Sequence, residues 1–207
     1  MTMYQTVLFY LAAARILLSR LLKRGPAPAV RREARALCIG LDGAGKTSLL
    51  KRASDASADL SSIVPTTGFN VRSVNVDPDW SLEVWDVGGA VSMRPFWSRY
   101  VDETIDGLIW VVDGADIARL PESAAELRNL LQREPRARML PLLVLANKSD
   151  IAAAHDAAAV AAALELENLE RFHLAVGPRH ATSVAAADGR SIGAALTWLC
   201  NATEERL

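Results

Sequence analysis

The stretch Gly40-Leu41-Asp42-Gly43-Ala44-Gly45-Lys46-Thr47 constrains this chain more than any other. An apolar run, Ala36–Ile39, leads into it, and a helical pattern, Lys46–Ala53, leads out. It satisfies the phosphate-loop pattern, whose chemistry requires a strand before the loop and a helix after it. Gly40, Gly43 and Gly45 let the backbone curl so that several N–H groups face one anion. The helix that starts at the loop adds the positive end of its dipole. Lys46 offers a point charge to β and γ phosphates, and Thr47 offers a hydroxyl to Mg²⁺. Asp42, Gly43, Ala44, Gly45, Lys46, Thr47 and Ser48 are thus the candidate phosphate-binding residues.

Apolar, strand-like runs recur at Ala36–Ile39, Phe69–Val76, Leu82–Trp85, Leu108–Val112, Leu142–Ala146 and Phe172–Val176. Helical patterns separate most of them, at Lys46–Ala53, Pro121–Arg133, Ala157–Leu166 and Ser191–Ala202. Nearly continuous apolar runs between helices indicate an α/β fold, with a mostly parallel sheet covered on both faces. Around Asp77-Pro78-Asp79-Trp80 no helix intervenes between strands, so that pair reads as a hairpin. With 207 residues the chain has room for one domain and a short extension. The extension reads as a helix over 1–24 and a basic, Pro-containing linker over 25–34, with the domain at 35–207.

The extension is apolar and basic. Met3, Val7, Tyr10, Leu11, Ala14, Leu17, Leu18, Leu21 and Leu22 share one stripe of a helical wheel, with Arg15, Arg20, Lys23 and Arg24 in the opposite half. A spanning helix needs roughly 20 apolar residues, and Arg15 interrupts the run well before that. A helix lying in the headgroup plane fits better; a short signal-anchor and a helix docked on the domain's own surface stand as alternatives. Residues 1–36 hold seven basic side chains and one acidic one, and the remainder carries a net charge of −7. A basic arm on an acidic body suits an anionic surface, and the apolar stripe makes that surface a membrane, not nucleic acid. Cys38 and Cys200 form no disulfide framework and no metal spacing, and read as buried packing residues. His155, His173 and His180 lack metal-ligand spacing.

The phosphate loop does not choose a base, but Asn147-Lys148-Ser149-Asp150 does. The Asp150 carboxylate can accept two hydrogen bonds from the N1–H and N2–H₂ of guanine, a pair adenine does not offer. Lys148 can lay its aliphatic stem across the base, and Asn147 can tie this loop to the phosphate loop.

Together these residues resemble the Arf/Arl family of small GTPases over about residues 36–200. The resemblance rests on Gly40–Ser48, Pro65-Thr66-Thr67-Gly68-Phe69-Asn70, Trp85-Asp86-Val87-Gly88-Gly89, Arg94-Pro95-Phe96-Trp97 with Tyr100, and Asn147–Asp150. It implies the three-layer P-loop small GTPase fold: a mostly parallel six-stranded sheet with one antiparallel edge strand, plus an N-terminal amphipathic helix. It implies binding of GTP and GDP with Mg²⁺. Thr66 resembles the switch threonine that meets Mg²⁺, Asp86 the aspartate that reaches it through water, and Gly89 the glycine whose N–H meets the γ-phosphate. Phe69, Trp85 and Tyr100 match an aromatic cluster that reads the switch state towards effectors. Ser183 and Val184 match the loop that donates a backbone N–H to the guanine oxygen. Effectors and exchange factors would meet segments 60–70 and 86–100, the membrane would meet residues 1–24, and the chain would be a monomer. The implied location is the cytoplasmic face of an intracellular membrane, beside a soluble cytosolic pool.

Four departures stand out from the family pattern. Ala90 occupies the position of the glutamine that orients the attacking water, and a methyl group neither donates nor accepts. Intrinsic hydrolysis should therefore be slow or absent, leaving a long-lived switch, a non-hydrolysing scaffold, or an enzyme completed by an activating protein. Thr2 removes the myristoylation pattern, and the apolar helix would replace the lipid. Val184 is bulkier than usual, and the interval from Asn70 to Asp86 is one residue longer.

Overall fold

The computed structural model describes residues 31–167, 169, 179–185 and 189–205. The arm helix over 1–24 and the run Phe172–Val176 lie outside the described residues. Six strands form one sheet: β1 Arg32–Ile39, β2 Phe69–Asn75, β3 Trp80–Val87, β4 Gly107–Asp113, β5 Leu142–Asn147 and β6 Arg179–Ser183. Their spatial order is β2-β3-β1-β4-β5-β6. Only β2 runs antiparallel to its neighbour, joined to β3 by the hairpin at Asp77–Asp79, where Asp77 Oδ1 accepts from the Asp79 and Trp80 N–H groups. This is the six-stranded, mostly parallel sheet with one antiparallel edge strand that the resemblance implies. Among the described residues no helix is long and apolar enough to cross a membrane.

Two cores explain why the inner strands are apolar throughout. Leu108, Trp110 and Val112 of β4 face one side, against α2 Leu120–Arg133 through Leu127 and Leu131. Ile109 and Val111 face the other, with Leu49 and Leu50 of α1 Lys46–Ser54 and Ile192, Leu196 and Leu199 of α5 Gly189–Glu204. A strand buried on both faces has no polar position to alternate with. Cys38 and Cys200 lie in the second core, both buried. Two shorter helices complete the layers: α3 Pro135–Met139, and α4 Ala157–Ala163. The alanine-rich stretch starts its helix at Ala157 because Asp156 caps it, its carboxylate accepting from Ala159 N–H at 2.8 Å.

Two sequence boundaries are corrected. β1 takes in residues assigned to the linker, so the domain begins by Arg32 and not at residue 35. Several of its outward positions are charged, and the arginines within and just before it find partners. Arg31 donates to the Asn75 side chain, Arg32 pairs with Glu204 and lies 5.6 Å over the Trp80 ring, and Arg35 pairs with Glu83 at 3.0 Å. Three of the seven basic residues credited to the arm therefore serve the domain. The sheet position beside β5 belongs to Arg179–Ser183, a polar sequence that apolarity alone passes over. An edge strand needs only one neighbour and partial burial, and all five of its residues are half-buried.

Candidate functional site

Strand β1 delivers the phosphate loop at its carboxyl end, next to β3 and β4, where an open α/β sheet presents ligands to a crevice. Gly40 has φ +143°, and a Cβ there would stand 2.2 Å from Val111 O, so the loop can leave the sheet only with glycine. Gly45, at φ +87°, begins α1, and a Cβ on it would strike the Asn147 amide at 2.3 Å. Lys46 is buried and folds back over the loop, donating to Gly40 O at 2.8 Å and Leu41 O at 2.9 Å. Burial pulls its ammonium below the ordinary lysine value, opposed by the carboxylates of Asp86 and Asp42.

The three residues expected around Mg²⁺ converge. Thr47 Oγ1 donates to Asp86 Oδ2 at 2.7 Å and lies 2.9 Å from Thr66 Oγ1. Asp86 is fully buried at the end of β3, and its Oδ1 has no partner among the described residues. Burial pushes this carboxyl up from its ordinary value, against the Thr47 hydrogen bond and the charge of Lys46. A buried, unpartnered carboxylate oxygen beside two hydroxyls suits a hard divalent cation, bound directly or through water. The donor set fits Mg²⁺. A cavity of about 250 Å³ opens above it, walled by the phosphate loop, by Ile63–Thr66 and by Gly88–Ala90. Gly88 N–H donates to Gly68 O at 2.9 Å, joining the two segments that close the cavity. Ala90 is on the wall, its side chain a methyl.

At the other end of the groove Asn147 does what its position suggested, donating from Nδ2 to Ala44 O at 2.8 Å. Lys148 sits at φ +64° and pairs with Asp113. Asp150 is exposed at the turn, its carboxylate open to a ligand in the groove. In the loop Ser183-Val184-Ala185, expected to donate a backbone N–H to the guanine oxygen, the Val184 N–H is engaged within the fold. Val184 N–H donates to Ala146 O at 2.9 Å, because the parallel ladder of β5 and β6 runs one residue past Ser183. Val184 O accepts from Ser149 N–H at 3.2 Å, and Ser183 Oγ accepts from Ala157 N–H at 2.8 Å. Both residues therefore hold the base loop and the start of α4 in place, and Val184's bulk is absorbed in the core.

Phe69 stacks on Trp85, with centroids 5.2 Å apart and planes 6° apart, and Tyr100 closes the group at 5.6 Å and 6.5 Å. The expected aromatic cluster is thus assembled, with Phe69 46% exposed.

Sequence reasoning did not anticipate an ionic network beside the phosphate loop. Arg94, buried in the 3₁₀ helix Arg94–Tyr100, reaches Glu122 at 2.8 Å, Glu126 at 3.2 Å and Asp42 at 3.3 Å. Arg119 binds Asp42 and Glu122, each at 2.8 Å. These hydrogen bonds, from Arg119 first, hold the Asp42 and Glu122 carboxyls below their ordinary range. No local pattern announces such a network, since its members come from four separate segments; only the motif Arg94-Pro95-Phe96-Trp97 hinted at one of them.

Comparison with known proteins agrees with this geometry. Residues 21–203 match the model of the ADP-ribosylation factor family. The chain is 47% identical over 137 residues to the ADP-ribosylation factor-like protein 3 of Chlamydomonas reinhardtii, spanning 66% of this chain and 75% of that one. It is 40% identical over 168 residues to the ADP-ribosylation factor-like protein 2 of Drosophila melanogaster, spanning 81% and 86%. Among solved structures it resembles the Arl6 BBS3 small GTPase from Trypanosoma brucei with bound nucleotide analogue GppNp. The TM-score is 0.72 at 28% identity, covering 85% of this chain and 100% of that one.

Proposed function

This chain belongs to the ADP-ribosylation factor family of small GTPases, and from that premise we propose a slow guanine-nucleotide switch that works on a membrane surface. It binds GTP and GDP, recruits effectors when GTP is bound, and hydrolyses GTP weakly by itself. One observation carries this reading: Lys46, Thr47, Thr66 and Gly89 line one cavity, with Asp86 hydrogen-bonded to Thr47 behind its wall, and the same cavity meets only a methyl group at Ala90.

Thr47 and Thr66 would hold Mg²⁺ through their hydroxyls, and Asp86 through a water. Mg²⁺, when bound, neutralises charge on the β and γ phosphates. Lys46 keeps an N–H for the phosphates beyond the two donated to the loop carbonyls. Asp150 accepts from the guanine edge, while Asn147 keeps base loop and phosphate loop at a fixed separation. Hydrolysis requires a water placed in line with the γ-phosphate, and nothing at position 90 can orient it.

Val64, Phe69, Val71, Val91 and Phe96 expose large apolar side chains on and around the two nucleotide-facing segments. Surfaces of that kind suit effectors and exchange factors. Arg15, Arg20, Lys23 and Arg24 remain as the arm's basic residues, opposite its apolar stripe. The arm would hold the protein at the cytoplasmic face of an intracellular membrane, beside a soluble cytosolic pool.

The decisive experiment is single-turnover GTP hydrolysis by the full chain and by Ala90→Gln, with the nucleotide retained through purification identified first. GTP held by the parent and turned over by the variant supports the slow switch. Equal rates in both remove the role given to Ala90. A parent that retains and binds no nucleotide points instead to a membrane-tethered scaffold.

A further inference from the structure

The two glycines after Asp86 each have their carbonyl held by a side chain from the same short helix. Trp97 Nε1 donates to Gly88 O at 3.0 Å, and Arg94 Nε donates to Gly89 O at 3.2 Å. These peptides are trans. In a planar trans peptide the C=O and the following N–H point in opposite directions. Fixing Gly88 O therefore fixes the direction of Gly89 N–H, and fixing Gly89 O fixes that of Ala90 N–H. Gly88, Gly89 and Ala90 line the phosphate cavity. The main chain at Gly89 lies so close to the phosphate loop that a Cβ there would stand 2.4 Å from Asp42 N and from Gly40 O.

Both holding groups are anchored outside the segment they hold. Trp97 is 2% exposed and meets Trp110 of β4 edge-on, at 5.5 Å and 88°. Trp110 in turn donates to Ser123 Oγ of α2 at 3.0 Å. Arg94 is buried and ion-paired to Glu122 and Glu126 of α2 and to Asp42 of the phosphate loop. Neither side chain lines the cavity itself, so each meets it through the groups it holds.

We propose that Trp97 and Arg94 form a carbonyl clamp that turns the N–H groups of Gly89 and Ala90 toward the γ-phosphate position, making them positioning residues that favour triphosphate over diphosphate. The inference rests on the nucleotide-switch reading and deepens it. It also gives position 90 a use that needs no side chain: its amide contributes to binding although its methyl contributes nothing to hydrolysis.

The test is equilibrium binding of fluorescent GppNHp and GDP analogues, with Mg²⁺, to the full chain, to Trp97→Phe and to Arg94→Lys. The first variant keeps an aromatic ring and removes the N–H donor; the second keeps the charge and removes Nε–H. Each should weaken GppNHp by about tenfold, the worth of a hydrogen bond to a charged group, while GDP changes by less than about twofold. The ³¹P resonance of the bound γ-phosphate should shift in both variants, which loss of packing alone would not cause. An equal loss for both nucleotides, or no loss for either, overturns the clamp alone. A parent chain that binds neither analogue overturns the nucleotide reading and the clamp with it.

Discussion

The phosphate end and the base end of the groove meet at Asn147, whose amide donates to Ala44 O, but they are held in place by different means. The base end is a short loop closed on itself and on buried strands. Ile151 N–H donates to Lys148 O, Gly114 N–H to Asn147 O, and Ser149 N–H to Val184 O. Every residue of β5 behind it is buried. At the phosphate end, by contrast, two further segments complete the site: one carries Thr66, the other Gly89. Those segments carry exposed apolar side chains, and they are joined by Gly88 N–H to Gly68 O. A preset end reads the base whatever the state of the phosphates. An end assembled from separate segments is one that, on the proposed switch reading, can report that state.

Four changes test this division, beginning with the largest effect. Lys46→Ala should lower affinity for GTP and GDP alike by roughly a hundredfold or more, since a buried cation donates several charge-assisted bonds there. Nucleotide dissociation rates would show it, and tight retention by the variant would mean that the base end suffices alone. Asp150→Asn should cost guanine nucleotides about tenfold to a hundredfold and favour xanthine nucleotides, whose 2-oxo group accepts from the new amide. Competition binding reads this, and an altered preference between GTP and GDP would break the claim that the two ends act separately. Arg136→Ala is the reference outside the groove. Its guanidinium donates to Asp102 O, Glu103 O and Ile105 O. Losing it should cost about 1–2 kcal/mol of stability by denaturant unfolding and leave both affinities unchanged.

The smallest effect is in pH. Asp42 and Glu122 have folded-state values lowered first by hydrogen bonds from Arg119. The unfolded chain therefore binds more protons at acid pH, so their contribution is complete above about pH 5 and fades as pH falls through 4 toward the lowered values. The drop in urea midpoint between pH 7 and pH 4 should be smaller in Arg119→Gln than in the parent. An identical drop would show that the network beside the phosphate loop is not linked to protons.

What could be seen in the sequence was whatever depends on neighbours along the chain. The phosphate loop, Thr66, Asp86 and Asn147–Asp150 each carry their chemistry in a few adjacent residues, and five of the six strands stood out as apolar runs. Arg179–Ser183 is hidden in the sequence because an edge strand can be polar, and the start of β1 is hidden because its outward charges resemble a linker. Ser183 and Val184 were placed at the base by likeness, whereas their groups are engaged by Ala157, Ala146 and Ser149. Arg94, Trp97 and Arg119 reach partners between 3 and 77 positions away, and the long-range pairings exist only once the sheet has brought α2 against the phosphate loop.

The chain's two cysteines, Cys38 and Cys200, are both buried. Burial pushes Cys38 far above the ordinary thiol value and Cys200 up to about 12. Near neutral pH the folded protein therefore offers almost no thiolate to an alkylating reagent. A single cysteine introduced at the exposed Val64 would be the one accessible thiol of the native protein. A dye or spin label could then follow the closing segment directly, with no need to strip the natural thiols from the core.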